Sequence, residues 1–447
     1  MRNLLCIAVV LMSSLFAGCT SSVFTPVSSP NPWTDDYSSL SSMENYQSWG
    51  TYNVHDPSCR KMGEYYYMYS TDAIFRENRK EAKEKGVPLG FIQMQRSKDL
   101  VNWEFLGWAF PEIPQEAVEW VRAHADGHGA TNIWAPYIIP YNNKYRLYYC
   151  VSAFGRKTSY IGLAESDSPE GPWTLAGCVV KTDDTTAMNA IDPSITVDPS
   201  NGKWWMHYGS FFGGLYCVEL NPETGLPLAE GDRGHLVARR ANYKKDNLEA
   251  PEIIYNPELM DYFGKELKDT TNNFPILTAP YRFKNHPGWA GTAHCAVFTS
   301  DDGQYFMAHQ GRLSPQNQMM DLHIRQVFFT EEGWPVVSPE RYAGSKSRKF
   351  SAADLAGEWE VIRVQEPLYE RQLEAGQILW GEGELQDEEW NMSRLLHLEK
   401  DGKLGENKGT WDFADVKQSL RLTLDGEDIK DLIVFAGHDW ENETETV

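Results

Sequence analysis

The sequence predicts an all-β protein, with a β-propeller followed by a small second β domain. Four aromatic runs with high strand propensity, each led by a polar residue, recur along the chain: EYYYMYS from Glu64, KYRLYYC from Lys144, KWWMHYG from Lys203 and QYFMAHQ from Gln304. Turn-forming residues precede several of them, as in YNN, PSNG and SDDG. One strand unit repeated in each blade is typical of a propeller, and a β-sandwich is the alternative.

The N-terminal residues have the features of an export signal. Arg2 precedes the apolar run LLCIAVVLMSSLF, which is too short to cross a bilayer comfortably. The segment LFAGC resembles a bacterial lipoprotein processing site, so we expect a signal peptide over residues 1–18 and a lipid on Cys19. An ordinary cleaved signal peptide, and hence secretion, is the alternative. Residues 19–43 are rich in Ser, Pro and Thr and predict a flexible tether to the cell envelope.

The four aromatic runs begin 80, 59 and 101 residues apart within residues 44–345, which we assign to the propeller. The first interval contains the charged segment RENRKEAKEKG, which predicts a solvent-facing helix. The last interval has room for two units, yet no aromatic hairpin follows residue 250, where one is expected. Further on, short alternating strands joined by glycine turns, as in GEWEVIRV and GTWDF, predict a separate barrel-like β domain over residues 350–447.

The composition excludes some classes of partner. The formal charge of −22 repels phosphate backbones and anionic lipids, so we expect no nucleic acid and no membrane contact except through the lipid anchor. Aromatic residues make up 13% of the chain, and aromatic rings beside carboxylates suit neutral sugars. The cysteines after Cys19 are scattered without a CxxC pair, which predicts buried free thiols instead of a zinc or redox site.

Three Asp-Pro-Ser motifs occur, at Asp56, Asp192 and Asp198. Asp198 precedes the turn PSNGK, so we expect its carboxylate to cap that turn. Asp56 and Asp192 each begin a repeat unit, and Glu249 begins another one 57 residues after Asp192. Because the first strand of each propeller blade lines the central channel, we expect these three carboxylates to share one cavity. Crowded like charges raise the pKa of at least one carboxyl group, which suits the acid–base pair of glycoside hydrolysis.

A set of motifs in order along the chain extends this interpretation: VHDPS, WAP, YYCVSAFGRKTSYIGLAES, GPW, NAIDPSI, HYGSFFGGLY, EAPEI and AHCAVF. Over roughly residues 50–343 they resemble glycoside hydrolase family 43, and within it the endo-1,5-α-L-arabinanases. The last domain resembles the C-terminal β-barrel of the two-domain members. The resemblance implies a five-bladed propeller that hydrolyses with inversion. It also implies that Asp56 is the general base, that Glu249 is the general acid, and that Asp192 orients Glu249 and raises its pKa.

The resemblance also implies substrate contacts and a metal ion. Sugar contacts are implied for residues of the NAID and GSF segments and for two aromatic walls of the groove: Asn189, Gly209, Ser210, Phe211, Trp134 and Phe154. His294 matches the channel histidine that holds a calcium ion, largely through waters, although calcium prefers oxygen ligands. A histidine satisfied within the protein core is the alternative for His294.

The chain departs from the family pattern in several places. Tyr137 stands where the family has an acid, and Phe212 stands where it has a tryptophan. The fourth blade is predicted to be shortened by one hairpin after the EAP motif, which would disturb the surroundings of Glu249 and leave an open sheet edge. The resemblance further implies at least one more strand beyond the last residues of the barrel.

These features lead to the hypothesis of an envelope-anchored, endo-acting hydrolase of α-1,5-linked L-arabinan. The alternatives are an exo-α-L-arabinofuranosidase or β-xylosidase of the same family, and a non-catalytic glycan-binding surface lipoprotein. The segments VSAFGRKTSYIGLAES and GSFFGG argue against the exo-acting enzymes. The acidic triad argues against the binding protein, whereas the shortened blade argues for it.

Overall fold

The computed structural model describes the protein over residues 43–74, 76–239, 248–255, 277–314, 320–330, 333–364, 391–440 and 444–447. The predicted signal peptide, the lipidation site Cys19 and the tether up to residue 42 lie outside this part of the chain. Among the helices that the structure describes, none is both long enough and apolar enough to span a bilayer.

Sheet 1 is an antiparallel meander of four strands, β1 (His55–Met62), β2 (Tyr65–Thr71), β3 (Phe91–Ser97) and β4 (Glu104–Phe110). A short 3-10 helix over Met43–Ser48 precedes it. The charged insertion forms helix α1 (Arg76–Glu84), largely exposed as predicted, and helix α2 (Gln115–His124) leads to the next sheet.

Sheets 2 and 3 repeat this meander. Sheet 2 contains β5 (Trp134–Tyr141), β6 (Lys144–Ser152), β7 (Ser159–Ser166) and β8 (Thr174–Thr182). Sheet 3 contains β9 (Ser194–Val197), β10 (Trp204–Tyr208), β11 (Leu215–Leu220) and β12 (His235–Ala238).

Sheet 4 has the same antiparallel pattern and also contacts the segment that precedes sheet 1. Its strands are β13 (Tyr281–Arg282), β14 (Trp289–Thr299), β15 (Tyr305–Leu313), β16 (Asp321–Phe329) and β17 (Pro335–Val337). The segment before sheet 1 pairs with it, since Val54 N donates to Met320 O at 2.9 Å and Leu322 N donates to Thr51 O at 2.9 Å. These bonds tie the start of the propeller to sheet 4.

The predicted aromatic runs form β2, β6, β10 and β15, so these four strand predictions are confirmed. In its sheet, each of these strands follows the inner strand, which is β1, β5, β9 or β14. The side chains of β2 and β6 are buried on both faces, because apolar clusters fill the spaces between neighbouring sheets. In β10, buried residues alternate with half-buried ones. Clusters lie between sheets 1 and 2, between sheets 2 and 3, and between sheets 1 and 4. This packing of sheet on sheet is the propeller arrangement.

The described residues form four propeller sheets, and five blades are not confirmed. The segment 248–255 runs between sheets 3 and 4, where a further blade would begin. Residues 256–276, on which the prediction of a shortened fourth blade depends, lie outside the described residues. The number of blades therefore stays a prediction.

The C-terminal part has its own sheet and its own apolar core. The short helix α3 (Ala352–Leu355) comes first. The strands of the sheet are β18 (Gly357–Val361), β20 (Arg394–Leu398), β21 (Lys403–Leu404), β22 (Gly409–Ala414), β23 (Ser419–Leu424) and β24 (Glu427–Ile433). They are hydrogen-bonded in the order β18-β20-β21-β22-β23-β24. The described strands make an open sheet, so closure into a barrel stays a prediction. A hairpin of β25 (Gly437–Asp439) and β26 (Thr444–Thr446) follows.

Strand β19 (Asn391–Met392) connects the two parts of the molecule. It joins the edge of sheet 4 by pairing in parallel with β13. Asn391 N donates to Pro280 O at 3.1 Å, and Ser393 N donates to Arg282 O at 2.9 Å. The C-terminal part therefore covers an edge of the propeller that would otherwise expose unpaired backbone groups.

Candidate active site

Five chain segments around the propeller axis share one unusual backbone turn. A residue with positive φ occurs at the same place in each, with φ between 41° and 58°: Asp56, Ala135, Asp192, Ala250 and His294. Non-glycine residues rarely adopt this conformation, and clusters of such residues mark functional sites. In four of the five segments this residue directly precedes a proline, so the unusual turns coincide with the Asp-Pro and Ala-Pro motifs of the sequence. The carboxylates of Asp56, Asp192 and Glu249 come close enough here to interact electrostatically.

Asp56 is held as an ionised carboxylate at the start of β1. Its backbone N donates to Gln310 Oε1 at 2.7 Å, and its Oδ1 lies 3.1 Å from His294 Nδ1. Burial alone would raise the pKa of Asp56, but the charge and hydrogen bond of His294 lower it to about 2. Asp56 is therefore a proton acceptor at neutral pH.

His294 is the partner that keeps Asp56 ionised. Burial alone would lower the pKa of its imidazole, but the Asp56 carboxylate, with Asp192 and Glu249 nearby, raises it to about 9. The roles predicted for His294, as a metal ligand or as a histidine satisfied in the protein core, both stay predictions. In the part of the chain that the structure describes, no three His, Cys, Asp or Glu side chains are grouped as metal ligands. These donors do not by themselves make an oxygen-rich calcium site, and we assign no catalytic step to a metal.

Asp192 is buried and lies beside the segment that carries Glu249. Its Oδ2 accepts a hydrogen bond from Ala250 N at 3.2 Å. Burial raises the pKa of Asp192, and the negative charges of Glu249 and Asp56 raise it further against the opposing effect of His294. Asp192 thus fixes the backbone next to Glu249 and places a second titratable carboxyl group close to it.

Glu249 is held by the turn after β10. Ser210 Oγ donates to Glu249 Oε2 at 2.9 Å, and Phe211 N donates to Leu248 O at 2.9 Å. Loss of solvent around the carboxyl group raises the pKa of Glu249, and the Ser210 hydroxyl opposes that rise. Because Glu249 is exposed to the groove, solvent screens this effect. The pKa values of Asp192 and Glu249 are both raised whereas that of Asp56 is lowered, so Asp192 and Glu249 keep a proton to higher pH than Asp56 does.

The structure gives Asn189 a supporting position behind Glu249. Its side chain is 2% exposed, accepts a hydrogen bond from Ser159 Oγ at 2.7 Å and donates one to Ser210 O at 3.0 Å. Asn189 therefore anchors the backbone of the serine that binds Glu249. The predicted contact between Asn189 and sugar stays a prediction.

The GSF segment forms the turn that presents Ser210. Gly209 has φ 139°, and a Cβ there would lie 2.5 Å from Gly214 O, so only glycine fits. Phe211 and Phe212 both have positive φ, and their ring centroids lie 6.5 Å apart. The turn thus places the Ser210 hydroxyl in hydrogen-bond contact with Glu249, and the two phenylalanines come next along the chain.

Two predicted aromatic residues form one surface. Trp134 and Phe154 pack edge to face with ring centroids 6.4 Å apart, and Phe154 is 62% exposed. An exposed aromatic ring is suited to stacking on the C–H face of a sugar. Asp198, by contrast, caps its turn as predicted, since its Oδ1 accepts from Ser200 N at 2.9 Å and from Ser200 Oγ at 2.6 Å.

Several residues that shape the site were not predicted from the sequence. Gln310 binds the backbone of Asp56, Ser159 binds Asn189, and Glu252 accepts a hydrogen bond from Ser194, two residues after Asp192. Glu252 stands two residues after Ala250, the same spacing that separates Ser194 from Asp192, so the repeat itself contained the pattern that could have identified it.

Comparison with known families assigns both parts of the chain. The model of "Glycosyl hydrolases family 43" matches residues 50–259, and that of a "C-terminal lipocalin-like domain" associated with the same family matches residues 339–447. The matched ranges include the three carboxylates Asp56, Asp192 and Glu249.

Three curated relatives are similar over large parts of the chain. An extracellular endo-α-(1→5)-L-arabinanase of Thermotoga petrophila is 28% identical over 69% of this chain and 75% of its own length. Extracellular endo-α-(1→5)-L-arabinanase 1 of Bacillus subtilis is 34% identical over 53% of this chain and 70% of its own length. An extracellular exo-α-(1→5)-L-arabinofuranosidase of Cellvibrio japonicus is 29% identical over 64% of this chain and 86% of its own length.

The fold has a counterpart among solved structures. The crystal structure of the Thermotoga petrophila endo-1,5-α-L-arabinanase superposes with a TM-score of 0.67 at 22% sequence identity. The match covers 89% of this chain and 95% of that one. The similarity therefore extends over both the propeller and the C-terminal part.

Proposed function

Since the chain belongs to glycosyl hydrolase family 43 and is a glycoside hydrolase, we propose that it cleaves α-1,5-linked L-arabinan internally and with inversion. The observation that carries this proposal is that the pKa values of two neighbouring carboxyl groups shift in opposite directions. The charge and hydrogen bond of His294 lower the pKa of Asp56 to about 2, whereas burial raises that of Glu249. This is the division of roles that inverting hydrolysis requires.

In the proposed reaction, Asp56 accepts a proton from a water molecule as that water attacks the anomeric carbon. Glu249 donates its proton to the leaving glycosidic oxygen in the same step. An inverting pair stands about 6.5–9.5 Å apart so that the water fits between sugar and base. Asp192 supports the acid, because its carboxyl group accepts a hydrogen bond from Ala250 N and lies close enough to Glu249 for the two groups to interact electrostatically.

Endo action is favoured over exo action by the relatives named as endo-arabinanases, whereas the relative named as an exo-acting enzyme keeps the alternative open. We propose that Trp134 and Phe154 stack on arabinose units along the groove. Ser210 and Phe211 lie beside the acid and contact the sugar there, with Asn189 and Gly209 supporting their turn.

The cellular setting and the metal rest on the sequence. The three relatives are named as extracellular, which supports export of this chain. We propose that Cys19 carries a lipid that anchors the enzyme in the cell envelope. A calcium ion near His294, held through waters, is a separate proposal that metal analysis of the purified protein tests directly.

Product analysis on linear debranched arabinan tests the function. We expect wild-type enzyme to release arabino-oligosaccharides first, and Glu249→Ala to lose at least about 10²-fold in kcat because the general acid is gone. Asp198→Ala is the matched control, since Asp198 belongs to the same motif as Asp192 but only caps a turn. Release of arabinose alone would establish the exo alternative, and binding of arabinan without products from wild type would establish a glycan-binding protein.

A further inference from the structure

A second polar layer lies on the propeller axis directly below the acidic triad. The residues two positions after the strained turns point into it: Tyr137, Ser194 and Glu252 follow Ala135, Asp192 and Ala250 at the same spacing. Arg60 reaches this layer from β1. Tyr137 and Ser194 are 4% and 1% exposed, so this layer belongs to the interior of the propeller and not to the open groove.

Glu252 joins the two sheets between which the acid-bearing segment runs. Its Oε2 accepts a hydrogen bond from Ser194 Oγ at 2.8 Å, on β9 of sheet 3. Its Oε1 accepts one from Val297 N at 3.1 Å, on β14 of sheet 4. Both carboxylate oxygens are used, one toward each sheet, and Glu252 is only three residues from Glu249.

Arg60 and Tyr137 complete the layer from the other two sheets. Arg60 Nε donates to Ile138 O at 2.9 Å, and its guanidinium also donates to the Tyr137 hydroxyl. The Tyr137 hydroxyl donates to Ile195 O at 2.9 Å. Burial raises the pKa of Glu252, and the positive charge of Arg60 opposes that rise. The layer thus connects sheets 1, 2, 3 and 4 through the segment 248–255.

The remaining bonds of segment 248–255 explain why this anchor matters for Glu249. On the side of sheet 3, Phe211 N, Ser210 Oγ and the Asp192 carboxylate hold residues 248–250. Among the hydrogen bonds of the described residues, the bond from Val297 N to Glu252 is the one that fixes this segment to sheet 4. Asp56, the proposed base, interacts with His294 on sheet 4, so the distance from acid to base depends on how sheet 4 is tied to the acid segment.

We propose that Glu252 is a positioning residue that sets the location of the general acid Glu249 relative to the base Asp56. This inference rests on the proposed function, because it assumes that Glu249 donates the proton. Tyr137 belongs to the same polar layer and occupies the position where the sequence resemblance implied an acid. Its hydroxyl binds Arg60 and Ile195 O in the interior of the propeller.

Leaving-group dependence distinguishes positioning of the acid from general structural support. An aryl arabinotrioside with a 2,4-dinitrophenyl leaving group needs little protonation, whereas arabinan needs a correctly placed acid. We expect Glu252→Ala to lower kcat on arabinan by about 10²-fold, the usual cost of misplacing a catalytic group by about 1 Å. On the dinitrophenyl substrate we expect a loss of about fivefold or less, and Glu249→Ala should show the same contrast.

Two further variants keep the test decisive. Glu252→Gln retains the side-chain shape and an acceptor for Val297 N, and it should give a smaller loss with the same contrast between the two substrates. Glu219→Ala is the matched control, because Glu219 is a half-buried glutamate of sheet 3 that pairs with Lys203 at 3.0 Å away from the axis. It should leave both activities unchanged.

The outcomes separate the two proposals. If wild type hydrolyses neither substrate, the proposed function fails. If wild type is active but Glu252→Ala and Glu252→Gln lose activity equally on both substrates, or lose none, the positioning role is overturned. If Glu252→Ala does not fold, the Gln variant, with its folding checked by circular dichroism, decides between these outcomes.

Discussion

At the scale of single residues, Asp56 and Glu249 show how two similar acids acquire different roles. Asp56 faces a protonated histidine, and its pKa falls to about 2. Burial raises the pKa of Glu249, the Ser210 hydroxyl opposes that rise, and the charge of Asp56 adds to it. Asp192 lies beside Glu249, and burial raises its pKa to about 8. In the proposed mechanism, surroundings and not residue type therefore separate the proton acceptor from the proton donor.

The Ser210 hydroxyl gives a prediction about pH dependence. It donates to Glu249 and stabilises the ionised form, which lowers the pKa of the acid. Ser210→Ala removes that stabilisation, so Glu249 should remain protonated to higher pH and the alkaline limb of kcat/KM should move upward. Ser200→Ala, in the exposed turn after Asp198, should leave the profile in place. A downward shift in Ser210→Ala would contradict the assignment of Glu249 as the acid.

At the scale of elements, the turn from Gly209 to Gly214 connects β10 and β11 to the site. Gly209 N donates to Ile191 O at 2.8 Å, next to Asp192, while Ser210 bonds to Glu249. The turn therefore couples two members of the triad. The φ values are 139° at Gly209, 51° at Phe211 and 40° at Phe212. Glycine adopts positive φ readily, but the two phenylalanines are strained, and such strain is typical of functional sites.

Gly209→Ala tests this coupling. A Cβ at Gly209 would lie 2.5 Å from Gly214 O and in a backbone region that alanine disfavours. We expect a loss of stability of about 1–3 kcal/mol together with a fall in kcat, because the turn must move Ser210 away from Glu249. Gly202→Ala is the control: its φ is 72°, but a Cβ at this position would meet nothing within 4 Å, so stability should fall slightly and kcat should not change. Denaturant unfolding and kinetics measure both effects.

The strands and the triad could be predicted from sequence because their patterns are local. EYYYMYS and KWWMHYG are aromatic runs with high strand propensity, and Asp56, Asp192 and Glu249 each begin a repeat. The role of Asn189 could not be predicted, because it depends on Ser159 in another sheet. The position of Glu252 follows from the repeat spacing, but its contact with Val297, 45 residues away along the chain, does not. Five blades stay a prediction, because residues 256–276 lie outside the described residues.

At the scale of the whole molecule, the C-terminal part is joined to the propeller at several points. Besides the pairing of β19 with β13, Trp440 Nε1 donates to Arg341 O at 2.9 Å. The Arg341 guanidinium lies 5.2 Å from the Trp440 ring and 5.1 Å from the Trp289 ring of inner strand β14. A contact path thus leads from the C-terminal hairpin to the strand that carries His294.

Trp440 tests whether this joint stabilises the propeller. Trp440 is 4% exposed, so Trp440→Ala should lower the free energy of unfolding by about 3–5 kcal/mol through lost packing. Trp440→Phe, which keeps an aromatic ring beside Arg341 but loses the N–H donor, should cost less. Chemical denaturation followed by near-ultraviolet circular dichroism measures the change. An unchanged unfolding midpoint in Trp440→Ala would show that the two parts are energetically independent.

The stereochemistry of the first product tests the central claim, that Asp56 and Glu249 act together in a single displacement. Proton NMR spectra recorded within the first minutes of hydrolysis of an α-linked arabino-oligosaccharide report the anomer before it equilibrates. An inverting pair predicts that the β-anomer appears first and the α-anomer follows by mutarotation. Initial release of the α-anomer would require a covalent intermediate, and it would contradict the roles assigned to both carboxylates.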